Sequence, residues 1–159
     1  MANTQSMCTS FLGELLSATH NFSSANPAQT ASTANTFKAA LYLASATLNA
    51  STTAYSSTGE VTGTGYTAGG VIVTGATNPT STNASATAGV GYWTPSASIT
   101  YTTVTLTTAF DTMLLYNSTQ SNKAVSVHTF GSQTITAGTF TLTMPTNSTT
   151  AALIRLSTT

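Results

Sequence analysis

The stretch Ser98-Ile-Thr-Tyr-Thr-Thr-Val-Thr-Leu106 decides the fold. Ile99 and Tyr101 alternate with threonines, which is the period of a half-buried strand. The alternation resumes at Val104 and Leu106, one position out of step. A β-bulge between Thr102 and Thr103 accounts for the slip, because one extra residue flips the facing of every side chain after it. Threonine suits such a strand, since its branched Cβ fits the pleat.

Outward from this stretch the same chemistry repeats. Strands are expected at Ala109–Tyr116, Lys123–Phe130, Thr139–Met144 and Ala151–Leu156. Turns are expected over Asn117–Asn122, around Gly131 and Ala137-Gly138, and at Pro145-Thr-Asn147. Upstream, Thr36–Ala44 reads as a strand with Phe37, Leu41 and Leu43 on one face and Lys38, Ala40 and Tyr42 on the other. Val71-Ile-Val-Thr74 reads as another strand, preceded by a glycine-rich turn, Gly63-Thr-Gly-Tyr-Thr-Ala-Gly-Gly70. Residues 44–60 read as a long loop with a turn of helix around Ser51–Tyr55, and 23–36 and Asn78–Gly91 as loop or turn. Strand starts roughly 10–15 residues apart predict a sandwich or barrel. The expectation is a single all-β domain, a jelly-roll-like β-sandwich of about seven or eight strands over residues 36–157.

One helix precedes it. Phe11, Leu12, Leu15 and Leu16 recur at helical spacing, Thr9 or Ser10 can cap, and Glu14 falls in an early turn. The spacing predicts a helix over 9–21, with residues 1–8 as an N-terminal arm able to reach a neighbour. No stretch of the sequence has the eighteen or so consecutive apolar residues of a membrane helix. The first residues lack the charge and apolar run of a secretory signal.

Only Glu14, Lys38, Glu60, Asp111, Lys123 and Arg155 carry formal charge, 4% of the chain, against roughly 25% in an ordinary soluble domain. Serine and threonine fill about a third of all positions, so the surface is built from hydroxyls. Nucleic acids and anionic membranes are bound through clusters of lysine and arginine, and three scattered cations make none. Neither is expected as a partner. Zero net charge favours association over dispersal, which suits a protein that works in an assembly.

The raw material for catalysis is thin. The three acids fall in a helix, a loop and a strand, and no spacing brings two onto one site as a glycosidase pair requires. Asp111 reads as a strand-edge charge or a partner for Lys123 or Arg155. His20 and His128 match no metal-ligand spacing. No G-x-S-x-G elbow frames a serine. The Gly63–Gly70 turn lacks the lysine of a P-loop and leads into a strand rather than a helix. No catalytic, cofactor or metal residue is expected, and the chain is not expected to be an enzyme. Cys8 reads either as a small packed thiol or as one half of an intermolecular bridge. The sequons at Asn21, Asn49, Asn83, Asn117 and Asn147 are what so Ser/Thr-rich a chain produces by chance. Tyr42, Tyr55, Tyr66, Tyr92, Trp93, Tyr101 and Tyr116 could line a sugar groove, but aromatics at alternating positions more often fill a core or an interface.

Several segments, in order, carry a resemblance. They are Phe11 with Glu14-Leu-Leu, Thr36-Phe-Lys-Ala-Ala-Leu-Tyr, Ala54-Tyr55, Glu60-Val-Thr-Gly-Thr-Gly-Tyr-Thr-Ala-Gly-Gly70, Leu115-Tyr-Asn-Ser-Thr, Gly138-Thr-Phe-Thr-Leu-Thr-Met-Pro145 and Ile154-Arg-Leu. The chain resembles small virion structural proteins of tailed bacteriophages, of the capsid decoration (cement) or tail-fibre-associated type. The resemblance implies a β-sandwich in the virion with no catalytic residues to carry over. It implies the major capsid protein and copies of itself, a trimer favoured, as partners. The alternative it leaves open is a tail component, with Tyr92-Trp93 and the loops contacting a host glycan.

Overall fold

The structure is a computed structural model and describes residues 2–22, 34–82 and 89–158. Among these the chain forms, in order, β1 (Ser6–Met7), α1 (Thr9–Leu16), β2 (Phe37–Leu43), β3 (Val71–Ile72), β4 (Thr80–Ser81), β5 (Val90–Trp93), β6 (Ile99–Asn117), β7 (Lys123–Leu142) and β8 (Ile154–Ser157). The protein is all-β with one short helix. Five strands pair in the order β1-β7-β6-β2-β3 and three in the order β4-β5-β8, every pair antiparallel. The expected two-sheet, sandwich-like architecture is present, split five and three. Trp93 of β5 joins the layers, packing on Phe22 at 4.8 Å and on Phe37 of β2 at 6.0 Å between ring centroids.

The centre of the molecule is one long ribbon made by β6 and β7. The sequence reading cut it into separate strands, because Gly131 and Ala137-Gly138 carry turn chemistry. The structure absorbs those residues as irregularities within a continuous β7. The bulge expected at Thr102-Thr103 is present: Tyr101 faces Phe140 and Val104 faces Gly138, so β6 carries one extra residue there. Thr103 takes it up with a φ of 53°. A compensating extra residue sits in β7, where Leu106 faces Ile135, and Ala137 adopts a φ of 45°. The paired bulges rephase both strands together. Ile99, Tyr101, Val104, Leu106 and Phe140 stay buried, while Thr100, Thr102, Thr134, Thr136, Thr139 and Thr141 stay exposed.

Beyond Phe110 the ribbon enters the core. Phe110, Leu114, Leu115, Ala124, Val125 and Val127 are fully buried. A nearly continuous apolar run, Met113-Leu-Leu-Tyr116, is what a strand covered on both faces requires. β2 pairs with β6 from Phe37 opposite Asn117 to Leu43 opposite Phe110. The two-face alternation expected for β2 is not seen, because Ala39 to Tyr42 are all buried.

Further local readings change. Val90 and Gly91, expected in a loop, belong to β5, which is held by β8 with Gly91 facing Leu156. A four-residue strand interrupted by glycine carries too short a pattern to read alone. Ser51–Tyr55 is not helical. Thr52 N–H donates to Asn49 O at 3.0 Å, and Asn49 Oδ1 accepts from Ser51 N–H at 2.8 Å, so an asparagine-closed turn replaces it. Residues 2–8 are stitched into the chain's own sheet rather than projecting as an arm. β1 pairs with β7, and Asn3 bonds Leu48 N–H (2.8 Å), Leu43 O (3.1 Å) and Asp111 Oδ1 (2.9 Å). The expected loop over 23–36 and the sequon at Asn83 fall largely or wholly outside the described residues.

α1 ends at Leu16, well short of residue 21. Cys8 is its N-cap residue and makes no side-chain cap bond. Thr19 N–H donates to Glu14 O (2.9 Å) and Ala18 N–H to Leu15 O (3.0 Å), which is a Schellman closure. Its left-handed position is Ala18, at a φ of 54°. Glycine is the residue that accepts this conformation without a Cβ penalty. Ala18→Gly is therefore expected to raise stability by about 0.5–1 kcal/mol, read as a higher urea midpoint with an unchanged slope. Of the expected apolar stripe, only Phe11 is fully buried and Leu15 partly so; Leu12 is 48% exposed and Leu16 93% exposed.

Candidate assembly surface

The ribbon has two long edges, and they are treated differently. The β6 edge is sealed by the chain itself. Beyond β2, the loop after Glu60 runs along it: Thr64 bridges Thr105, and Thr105 N–H donates to Thr64 O at 2.9 Å. The seal is close. A Cβ added at Gly63 would lie 2.0 Å from Thr105 O, and one at Gly65, whose φ is +77°, 2.2 Å from Thr103 O.

The β7 edge is open. Its first part is covered: β1 pairs at Ser126 and Val127, Cys8 N–H donates to Val125 O, and Thr53-Ala54 cover Lys123 and Ala124, but nothing comparable continues beyond Gly131 among the described residues. From Gln133 to Leu142 the strand pairs with β6 on one side, and among the described residues no strand pairs with Gly131–Leu142 on the other. Gly131, Ser132, Gln133 and Thr134 are exposed in succession, so this part of the ribbon stands clear on both faces. The segment contains no Asp, Glu, Lys, Arg or Pro. Natural edge strands are usually guarded by such residues, because unpaired N–H and C=O groups invite another strand.

The sealing loop is anchored by a buried carboxylate. Glu60 is 6% exposed and bridges β2 at Tyr42. Its Oε2 accepts from Tyr55 Oη at 2.6 Å. Its Oε1 accepts from Tyr66 Oη at 2.7 Å and from Gly69 N–H at 2.7 Å. Tyr116 Oη then donates to Gly69 O at 2.8 Å, and Tyr66 Oη accepts from Leu41 N–H at 3.0 Å. Tyr55 stacks on Tyr116 and Tyr66 on Tyr101, with ring centroids 4.8 Å and 5.8 Å apart. Burial, with the nearby Glu60 charge second, pushes the Tyr116 phenol up to about 12. The cage holds these phenols in their donating form.

A second polar cluster is built on Glu14 in the last turns of α1. Glu14 bonds Lys123 Nζ and His20 Nε2, each at 2.7 Å. Asn117 Oδ1 accepts from Thr119 and Gln120 N–H, so its amide nitrogen faces His20 Nδ1 at 3.0 Å and Asn35 Oδ1 at 2.8 Å. His20 therefore donates from Nε2 to Glu14. Burial works to raise the Glu14 pKa, but the hydrogen bonds from Lys123 and His20 and the charge of Lys123 outweigh it and hold the carboxyl below its usual range. Beside this cluster, Phe11, Leu15, His20, Phe22, Tyr92 and Trp93 contribute to a groove of ≈ 400 Å³.

The sequence candidates distribute as follows. The three acids occupy three separate places: Glu14 in the ion cluster, Glu60 in the tyrosine cage, and Asp111 on Asn3 and Thr112 Oγ1 (2.7 Å) rather than on Lys123 or Arg155. Among the described residues no three of His, Cys, Asp and Glu group as metal ligands would. Cys8 is fully buried, and burial followed by the Glu14 charge pushes its thiol up to about 11. Tyr42, Trp93, Tyr101 and Tyr116 are core residues, and Trp93 Nε1 donates to Thr77 O at 2.9 Å. The open β7 edge was missed. Its signal was available: no formal charge occurs between Lys123 and Arg155.

His128 on β7 gives a pH signature. Burial pushes its pKa from 6.5 down to about 4. Between those values the unfolded chain binds a proton that the native state refuses, so stability falls as pH drops through that window. Glu14, whose folded pKa is depressed, loses its contribution below the ordinary glutamate range, in the same direction. Urea unfolding at pH 7 and pH 5 is expected to show the loss, and His128→Gln to remove most of it.

Comparison with protein-family models, with curated proteins and with solved structures finds no match to this chain.

Proposed function

We propose that this protein is a non-enzymatic structural component of a bacteriophage particle, a capsid decoration protein that binds the major capsid protein and copies of itself. One observation carries the assembly part of the reading: a strand edge from Gly131 to Leu142 that is uncharged, clear on both faces at Gly131–Thr134 and, among the described residues, unpaired on its outer side. Main-chain pairing at such an edge supplies affinity without desolvating charge. The charge-poor, hydroxyl-rich surface supports the same reading, and Lys123 is already engaged by Glu14. Neither a nucleic acid nor a membrane is proposed as a partner, and the site of action is the virion, assembled in the host bacterial cytoplasm. The phage setting and the capsid partner rest on the resemblance of the segments quoted above.

The alternative tail reading relied on Tyr92-Trp93 as a glycan platform. Trp93 is 3% exposed and fills the layer between the sheets, so that reading loses its main residue. Quantitative mass spectrometry of purified particles tests the choice. A copy number comparable to that of the major capsid protein is expected. A small number matching the symmetry of a tail would overturn the decoration role.

A further inference from the structure

We infer that two copies of this chain join along the β7 edge, Gly131 to Leu142 of one pairing antiparallel with the same segment of the other across a two-fold axis. The inference names one contact of the proposed assembly, but it stands on strand geometry and not on the particle reading.

The argument begins with length. Among the described residues the other edge strands are short: β1, β3 and β4 have two residues each and β8 has four. None offers a ladder to match a twelve-residue edge. The one strand of equal length with an open side is β7 of another copy. Antiparallel pairing of identical strands is isologous, so it closes on itself and uses up both open β7 edges.

Charge supports the same partner. In a two-fold strand pair the segment meets itself, so any charge in it faces its own kind nearby, and like charges across a strand pair are destabilising. This segment has none. What it presents instead is threonine. Thr134, Thr136, Thr139 and Thr141 are all exposed, and the bulge at Ala137 keeps them clear of the buried Phe140. Threonine–threonine pairs are among the favourable cross-strand neighbours. The other ribbon edge cannot compete, since the Thr64 loop already occupies it.

Sedimentation equilibrium of the purified full chain over a wide concentration range is the test. The wild type is expected as a dimer. Replacing Thr134, Thr136, Thr139 and Thr141 together with lysine places like charges opposite or next to one another in any register centred on the segment. That variant is expected to be a monomer with an unchanged far-ultraviolet spectrum. The corresponding glutamate variant is expected to be a monomer too, and an equimolar mixture of the two to dimerise again. The mixture distinguishes lost pairing from lost folding. A monomeric or trimeric wild type, a lysine variant that stays dimeric, or a mixture of folded variants that fails to reassociate would each overturn the pairing. A monomeric wild type would leave the particle reading to be judged by copy number.

Discussion

Gly70→Ala is expected to leave most of the chain unfolded at room temperature. Gly70 has a φ of +68°, in the left-handed region where a Cβ is strained. The larger effect is steric. A Cβ built there lies 1.7 Å from Ala39 O and 2.7 Å from Ala40 Cα. Both atoms are backbone of β2, and Ala39 and Ala40 are fully buried between β3 and β6. No rotamer change relieves an overlap with backbone, so β2 or the loop must move. Either movement breaks the β2–β3 pairing of Ala39 with Val71 or withdraws Gly69 from Glu60. A cost above about 4–5 kcal/mol is expected, comparable to the whole stability of many domains. Gly13→Ala is the matched control. Nothing lies within 4 Å of a Cβ there, and the residue sits inside α1. It is expected to stabilise by about 0.5–1 kcal/mol, since alanine is the better helix former. Circular dichroism followed through urea unfolding reads both. A Gly70→Ala protein with a native midpoint would show that the loop packs elsewhere.

The two glycine substitutions also mark what the sequence made legible. Gly63–Gly70 read as a turn with left-handed glycines, and Gly65, Gly69 and Gly70 have positive φ. The bulge at Thr102-Thr103 was readable because a bulge shifts a period of two, and the shift shows in which residues are apolar. Its partner at Ala137 was not. Alanine and glycine are equally natural in a turn and in a bulge, and only pairing with β6 decides between them. The same ambiguity cut β7 into pieces and so concealed its continuous open edge. The helix was over-extended because nothing after Leu16 marks its end in the sequence: the chain turns at Ala18, a residue with no left-handed preference to announce it. The three acids were placed on separate elements correctly. What each one holds was beyond reach, because Glu60 bonds Tyr66 and Gly69 through a loop conformation that the sequence does not spell out.

Glu60→Ala is the second substitution with a large expected effect, because three donors converge on one carboxylate. Removing it strands Tyr55 Oη, Tyr66 Oη and Gly69 N–H around a buried void. Each buried donor left without an acceptor costs about 1–3 kcal/mol, and Tyr55, only part-buried, recovers some of its share from water. A total of about 3–5 kcal/mol is expected. Glu60→Gln separates charge from hydrogen bonding. The amide oxygen still accepts from Tyr66 and Gly69, and its nitrogen can donate to Tyr55 if that hydroxyl turns to accept. Neutral bonds are weaker than charge-assisted ones, so a loss of about 1–2 kcal/mol is expected. Equal losses for the two variants would mean that the charge itself, and not the satisfied donors, holds the site. No loss in either would mean that the cage does not anchor the loop. Association provides an independent reading. With the loop released, Thr64 leaves Thr105 and the β6 edge opens. A ribbon with one open edge pairs once and stops, whereas a ribbon with two can add copies without limit. Glu60→Ala is therefore expected to form polydisperse aggregates at concentrations where the wild type is discrete, and light scattering at rising concentration distinguishes the two.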